Sequence, residues 1–350
     1  MAKKKWYRFL LYLALEGLRH VVLILPRRIH QALAHGIGFT TYWVLPRERS
    51  EVFKHLREAF GEEESEARYR KIGQDAFINL MKSAMDVFCF PKLNRERIER
   101  LVRCEGGTSK LDQALEQGKG AIVLTGHIGN WELLAAYFRL LGYPGCLVGR
   151  RIYYEPFDQV LVTLRRSALV STIYRDESPR QVLEELKQNH TVGISADQDI
   201  DSVEGIFVPF FGRPAWTPIG PAKISLASGA PIVPAFMIHE KSGYRLFIED
   251  PIWPMTSPPA CPPPTGGGVS FEMQERAERF ETRSCQTGGG MKHTSKDETV
   301  RYITEAWSKV VERYVREYPD QWVWMHNRWK TKDESQVQSR GSAYLEEVRS

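Results

Sequence analysis

The spacing of apolar residues changes near residue 120. Before that point apolar side chains recur every three or four positions, as in amphipathic helices. Helices are predicted at 6–25, 47–60 and 66–90, with a second apolar stretch at 29–45. After that point short apolar runs alternate with helical patterns, which indicates a different architecture.

The second part of the chain predicts a sheet with helices between its strands. Strands are expected at 121–125, 145–149, 168–174, 192–196, 231–238 and 244–249. Helices are expected at 131–141, 156–166, 179–188, 219–228 and 297–318, and a last buried strand at 322–325. Such alternation is typical of the α/β class, here with a largely parallel central sheet flanked by helices.

The chain is expected to divide into an N-terminal membrane-associated helical segment at 1–46, an α/β domain at 47–332 and a polar tail at 333–350. Residues 254–296 interrupt the α/β domain with runs of proline and glycine. This composition forms neither helix nor sheet, so a disordered insertion without chemistry is predicted there.

The membrane prediction for the first segment rests on apolar length and basic charge. Residues 6–25 approach the ~20 residues that span a bilayer, but Glu16, Arg19 and His20 lie in their middle. Seven basic residues and one acid within residues 1–28 suit an anionic membrane surface. A helix lying in the membrane interface is therefore expected. A full span and a soluble core helix remain as alternatives.

Composition narrows the class of protein further. The formal charge of +5 permits nucleic-acid binding, but no nucleic-acid-binding module is recognisable. The five cysteines are odd in number and lack CxxC spacing, which argues against a disulfide framework and a zinc site and fits a reducing compartment. The chain has no P-loop and no zinc-protease motif, so neither a metal nor a resident cofactor is expected.

The candidate chemistry lies where the first strand of the predicted sheet ends. The apolar run 121–125 stops at Gly126, and His127 and Glu132 follow within six residues. Because Glu132 falls in the first turn of the next helix, the intervening loop can bring the two side chains together. A carboxylate is also stabilised near a helix N-terminus by ~0.3–1 kcal/mol.

The spacing of His127 and Glu132 is weak evidence by itself. Nine histidines and 43 acidic residues give about one such pair by chance, and His293/Glu298 is a second pair. The second pair lies at the edge of the predicted insertion and is assigned to chance. The setting between a strand and a helix favours the first pair, although a hydrogen-bonded structural histidine remains an alternative for His127.

A histidine beside a carboxylate can act as a general base. Neutral imidazole removes a proton from an alcohol as the alcohol attacks a thioester carbonyl, and the carboxylate orients the ring and stabilises the imidazolium. No serine or cysteine nucleophile is needed, because the hydroxyl of the acceptor itself attacks.

The segment Gly126-His127-Ile128-Gly129-Asn130-Trp131-Glu132 resembles the His-x-x-x-x-Asp/Glu motif of the lysophospholipid acyltransferase superfamily. It is most similar to the late acyltransferases of lipid A biosynthesis, the lauroyl and myristoyl transferases. Further segments follow in that family's order, and together they cover about residues 5–332: Ser195–Asp199, Val208–Ala215, Gly229–Pro234 and Pro319–Lys330.

The resemblance implies His127 as the general base and Glu132 as its partner. It also implies a basic residue that contacts a phosphate of the acceptor or the donor, with Arg165 as first candidate, then Arg150, and with Arg166 and Arg151 as others. Asp197 is implied as a site residue that orders an arginine. The alternatives are a solvated helix face for Arg165 and Arg166 and a loop-capping acid for Asp197.

The resemblance implies transfer of a fatty acyl group from acyl carrier protein or acyl-CoA to a hydroxyl of a membrane glycolipid of the lipid A precursor type. The expected location is the cytoplasmic face of the inner membrane. Alternative acceptors are phosphatidylinositol mannosides and lysophospholipids. A catalytically silent membrane-surface scaffold is the alternative outside enzyme chemistry.

Overall fold

The computed structural model describes residues 6–175, 179–254 and 295–332. The predicted tail, nearly all of the predicted insertion and His293 of the second pair lie outside the described residues. Four helices open the described chain, and all four were expected as helices or apolar stretches: α1 (Tyr7–Ile24), α2 (Arg27–Val44), α3 (Pro46–Phe60) and α4 (Glu66–Phe88).

Close packing of α2 on α4 explains why a glycine stands in the second apolar stretch. A Cβ on Gly38 would lie 2.6 Å from the Cα of Ile78 in α4, so only glycine allows the two backbones to approach this closely. The helix α4 begins at a conventional cap, because the Ser65 hydroxyl accepts the backbone N–H of Arg68. Helix α2 therefore packs directly on the part of the chain that follows residue 46.

The central sheet has the strand order β1-β9-β8-β2-β5-β3-β4, and only β8 and β9 pair antiparallel. This confirms the predicted largely parallel sheet. The strands in the sheet are β1 (Val102–Cys104), β2 (Ala121–Thr125), β3 (Gly145–Gly149), β4 (Ser171–Tyr174), β5 (Thr191–Ser195), β8 (Ile232–Glu240) and β9 (Gly243–Ile248).

Helices cover the sheet on both faces. They are α5 (Arg95–Leu101), α6 (Ser109–Leu115), α7 (Trp131–Leu141), α8 (Glu155–Ser167), α9 (Pro179–Lys187), α10 (Gly220–Ser228) and α11 (Lys296–Glu317). Strand β2 is central and buried throughout, with Ile122 and Leu124 in one hydrophobic cluster and Val123 in another. Burial on both faces explains its continuous apolar sequence.

The sequence prediction was wrong at one place and incomplete at others, since α5, β1 and α6 were not predicted. Residues 322–325 do not form a strand, because Trp322 makes only one isolated bridge, with Ile128. A separate antiparallel hairpin, β6 (Gly205–Phe210) and β7 (Arg213–Pro218), was not predicted. Its two-stranded sheet contains Pro209 and Pro214, and proline is normally evidence against a strand.

The described part of the chain contains no helix that is both long and apolar enough to cross a membrane, so α1 does not provide the full span that was one alternative for residues 6–25. Helices α1 and α2 nevertheless expose many large apolar side chains. The most exposed include Ile24, Trp43 and Val44, and Trp6, directly before α1, is exposed as well.

A buried polar cluster ties α2 to the centre of the molecule. The Asp86 carboxylate of α4 accepts hydrogen bonds from Arg27 (2.9 Å) and His30 (3.0 Å) of α2 and from the Tyr244 hydroxyl of β9 (2.6 Å). The Tyr244 oxygen in turn accepts the side-chain N–H of Asn130 at 3.0 Å. Burial opposes ionisation of Asp86 and of His30. The hydrogen bond between them and the charge of Arg27 nevertheless lower the pKa of Asp86 to about 2, and the contact with Asp86 raises the pKa of His30 to about 9.

Candidate active site

A cavity of about 540 Å³ opens where the central strands end. Strands β2, β3 and β5 run parallel and finish at Thr125, Gly149 and Ser195, so the residues that follow them meet at one edge of the sheet. The lining is apolar over much of its area, and its charged members include His127, Glu132, Arg150, Arg165, Arg175, Glu204 and Lys223. This volume is in the range of pockets that bind small molecules.

The loop between β2 and α7 places His127 at the cavity. Gly129 adopts a φ of +61°, and a Cβ there would lie 1.9 Å from the carbonyl oxygen of Met237, so this position requires glycine. The next residue, Asn130, caps α7 by accepting the backbone N–H of Leu133 at 3.0 Å. The predicted order of strand, glycine break and helix is therefore confirmed, with Glu132 in the first helical turn.

The hydrogen-bond partner of the His127 ring is Asp197. Asp197 Oδ1 lies 2.6 Å from His127 Nδ1, and Asp197 Oδ2 accepts the backbone N–H of His127 at 2.7 Å. Burial opposes protonation of the ring, but the charge and hydrogen bond of Asp197, together with the charge of Glu132, raise the pKa of His127. The same contacts hold the pKa of Asp197 far below its usual value despite its burial.

This arrangement sets the tautomer of the imidazole. With Nδ1 donating to the carboxylate, the neutral ring has its lone pair on Nε2. The Nε2 atom can then accept a proton from a group in the cavity. The Asp197 carboxylate hydrogen-bonds His127 and Trp322, and it acts on the buried Arg328 through its charge. That Asp197 orders an arginine therefore stays a prediction.

The carboxylate of Glu132 contacts Arg165 in the structure. Arg165 Nη2 and Nε donate to its two oxygens at 2.6 and 2.8 Å, and Arg165 Nη1 lies 3.3 Å from the Thr172 hydroxyl oxygen. Both partners of the ion pair are largely buried, with side chains 9% and 12% exposed. Glu132 hydrogen-bonds Arg165 directly and acts on His127 through its charge. That Glu132 orients the imidazole therefore stays a prediction.

The other candidate arginines lie in different surroundings. Arg166 is exposed on α8, next to the buried Arg165. Arg151 is also exposed, and its guanidinium lies 3.8 Å from the centre of the Tyr174 ring. Arg150 follows β3, lines the cavity and is exposed. Arg175, which sequence reasoning missed, follows the neighbouring strand β4 and lines the same cavity; its backbone N–H donates to Gly149.

Three further side chains around His127 were not assigned a role from the sequence. The Gln198 amide nitrogen is 3.3 Å from both ring nitrogens, and the His326 ring centre is 5.7 Å from that of His127. The indole N–H of Trp322 donates to Asp197 Oδ2 at 2.8 Å. Gln198 follows Asp197 directly, but Trp322 and His326 reach the site only through tertiary folding.

The competing pair His293/Glu298 is explained in part by a helix cap. The Glu298 carboxylate accepts the backbone N–H of Ser295, and the Ser295 hydroxyl accepts the backbone N–H of Glu298. These two hydrogen bonds form a capping box at the start of α11. Across the described ranges, no group of three or more His, Cys, Asp or Glu side chains is placed to hold a metal ion.

Comparisons with known proteins place the chain among acyltransferases. A model of the family described as bacterial lipid A biosynthesis acyltransferase matches residues 2–255 and 284–331. A phosphatidylinositol mannoside acyltransferase of Mycobacterium tuberculosis (strain CDC 1551 / Oshkosh) is 30% identical over 200 residues, which is 56% of this chain but only 60% of that relative. The lipid A biosynthesis lauroyltransferase of Escherichia coli strain K12 is 24% identical over 330 residues, 91% of this chain and 90% of that protein.

Among solved structures, the chain is similar to the 1-acyl-sn-glycerophosphate (LPA) acyltransferase PlsC from Thermotoga maritima. The two share 14% sequence identity with a TM-score of 0.33, over 85% of this chain and 99% of the other.

Proposed function

The chain belongs to the bacterial lipid A biosynthesis acyltransferase family, and we propose that it is an O-acyltransferase that moves a fatty acyl group from a thioester to a hydroxyl of a membrane glycolipid. The observation that carries the proposal is the contact of 2.6 Å between Asp197 and His127 Nδ1 beside a cavity of about 540 Å³. This contact leaves Nε2 of a cavity-lining histidine able to accept a proton.

The proposed reaction needs one base and no covalent enzyme intermediate. His127 Nε2 takes the proton of the acceptor hydroxyl while the oxygen attacks the thioester carbonyl carbon. The tetrahedral intermediate collapses, the carbon–sulfur bond breaks, and the departing sulfur takes the proton from the imidazolium. Asp197 stabilises the imidazolium between the two proton transfers. The products are an ester and a free thiol.

The arginines divide into two proposed roles. Three of the five N–H groups of Arg165 donate to Glu132 and Thr172. We therefore assign Arg165 to fixing the position of Glu132 in the wall of the cavity. Arg150 and Arg175 line the cavity, and no ion pair joins either of them to a described acidic residue. A phosphate of the acceptor or of the donor arm would complement their charge.

The acceptor and the donor are proposed by class. A glycolipid of the lipid A precursor type is the first candidate acceptor, because the lauroyltransferase relative matches along nearly its whole length. A phosphatidylinositol mannoside is the second, because the mycobacterial relative is more similar over a shorter region. The proposed donor is acyl carrier protein or acyl-CoA carrying a fatty acyl chain, and the apolar part of the cavity is the proposed place of that chain.

The test is acyl transfer by the purified protein, with acyl-CoA and acyl carrier protein as donors and a lipid A precursor, a phosphatidylinositol mannoside and a lysophospholipid as acceptors. We expect turnover with one of these acceptors and a loss of about 10²–10⁴-fold in His127→Gln. Wild-type turnover in that variant would contradict the base assignment. No transfer to any acceptor, with membrane binding intact, would favour the silent scaffold.

We also propose that α1 and α2 dock on the cytoplasmic face of the inner membrane. The proposal is supported by the exposed apolar side chains of these helices, among them Ile24 (83% exposed) and Trp43 (57%). In flotation with vesicles that contain anionic phospholipid, Trp43→Glu should reduce binding. Tyr302→Glu is the matched control, because Tyr302 of α11 is 56% exposed but lies outside these helices. Equal binding by both variants would contradict the docking surface.

A further inference from the structure

The segment that follows α11 is built into the loop that carries His127. The backbone N–H of Gly129 donates to the carbonyl of Gln321 at 3.0 Å, and the backbone N–H of Val323 donates to the carbonyl of His127 at 3.0 Å. Trp322, between these two contacts, forms the bridge with Ile128. Residues 321–323 thus fix the backbone that directly follows the catalytic histidine.

The Trp322 side chain adds a contact to the carboxylate on that histidine. Its indole N–H donates to Asp197 Oδ2 at 2.8 Å, and its side chain is buried against Trp324 and Phe210. Oδ2 also accepts the backbone N–H of His127, while Oδ1 faces the imidazole. Two donors on one oxygen therefore direct the other oxygen toward the ring.

We propose that Trp322 is a positioning residue for acyl transfer, which holds the Asp197 carboxylate in the orientation that directs His127 toward the acceptor hydroxyl. The inference rests on the proposed role of His127 as base. Trp322 itself is not placed to touch the substrate, since it does not line the cavity. Its effect on the reaction has to pass through Asp197.

The expected change in pH dependence follows from the charges around the ring. Without the indole N–H, Asp197 loses one stabilising donor, so its carboxylate becomes a stronger acceptor for the imidazolium and the pKa of His127 rises further. The charged and titratable groups that face the His127–Asp197 pair are Glu132, His326 and Arg328. None of these groups is changed when the indole is removed.

The experiment compares Trp322→Phe with Trp324→Phe. Both indoles are buried and donate one hydrogen bond, but that of Trp324 goes to the carbonyl of Pro319. We expect Trp322→Phe to lower kcat roughly tenfold to a hundredfold, with little change in KM, and to move the acidic limb of the kcat/KM profile to higher pH. Trp324→Phe should leave that limb in place.

A readout without substrate separates this inference from the proposed function. Titration of His127 by NMR of histidine-labelled protein, with the signal assigned by its loss in His127→Gln, should show a raised midpoint in Trp322→Phe. The isosteric benzothienylalanine at position 322 removes only the N–H and serves if the Phe variant does not fold. A midpoint that is unchanged or lowered in Trp322→Phe, or an equal change in Trp324→Phe, would overturn the inference. A raised midpoint together with full turnover by His127→Gln would support the positioning contact and refute the base.

Discussion

Replacing Asp197 by Asn would remove the charge that faces His127 while preserving the shape of the side chain. The lost contact is a short charge-assisted hydrogen bond of 2.6 Å, and such bonds contribute about 1.5–3 kcal/mol. At 1.36 kcal/mol per factor of ten, that energy alone corresponds to a decrease of roughly 10- to 150-fold in kcat. If the new amide donates to Nδ1, the ring carries its proton on Nε2, and the loss approaches ~10⁴-fold.

The assay is the pH profile of kcat/KM for the wild type, Asp197→Asn and Glu132→Gln. His127 has to be neutral to act as a base, and Asp197 raises its pKa above 6.5, so wild-type activity should fall as the pH drops through that raised value. Loss of the Asp197 charge should move this limb to lower pH. Because Glu132 acts on the ring only through its charge, Glu132→Gln should move the limb less. A larger effect of Glu132→Gln would refute the assignment of Asp197 as the partner.

Two further predictions concern buried charges. Arg165→Ala leaves Glu132 buried without its partner and should lower the free energy of unfolding by about 3–5 kcal/mol. Arg166 is exposed, so Arg166→Ala should change that free energy by no more than about 0.5 kcal/mol, and equal denaturant midpoints for the two variants would contradict the prediction. Asp86→Asn should also cost about 3–5 kcal/mol. Because the pKa of His30 is raised to about 9, protonated His30 stabilises the fold fully below pH 6.5, and this contribution is lost as the pH rises to about 9. The free energy of unfolding of the wild type should therefore decline over that interval, and that of Asp86→Asn should decline less.

Local features of the sequence were sufficient to predict the elements of the site. The apolar run of β2, the glycine break and the helix start of α7 all arise from neighbouring residues, so the position of His127 at a strand end followed from pattern alone. The family resemblance then supplied an order of segments that periodicity does not contain. Local pattern and the family resemblance both paired His127 with Glu132, the nearest carboxylate along the chain.

The true contact of His127 depends on strand order, which local pattern does not determine. Strand β5 lies between β2 and β3, and its register sets Thr125 beside Ser195. His127 and Asp197 therefore each stand two residues beyond paired positions, and the sheet brings them together across 70 residues of sequence. The contact of Trp322 was not predicted for the same reason, since it joins segments that are distant along the chain. The hairpin β6–β7 is local, and it was missed because Pro209 and Pro214 argue against strands.

The Asp86 cluster determines whether the N-terminal helices can be separated from the rest of the protein. Arg27 and His30, the basic partners of Asp86, lie within residues 1–46, while Asp86 and Tyr244 belong to the remainder and connect to the cap of α7. A shortened protein that begins at residue 47 would lose both basic partners of Asp86 and would uncover the face of α4 on which α2 packs. The first two helices therefore belong to the packed structure of the described chain and cannot be exchanged freely. A chimera that replaces them would have to supply two basic groups at the same places.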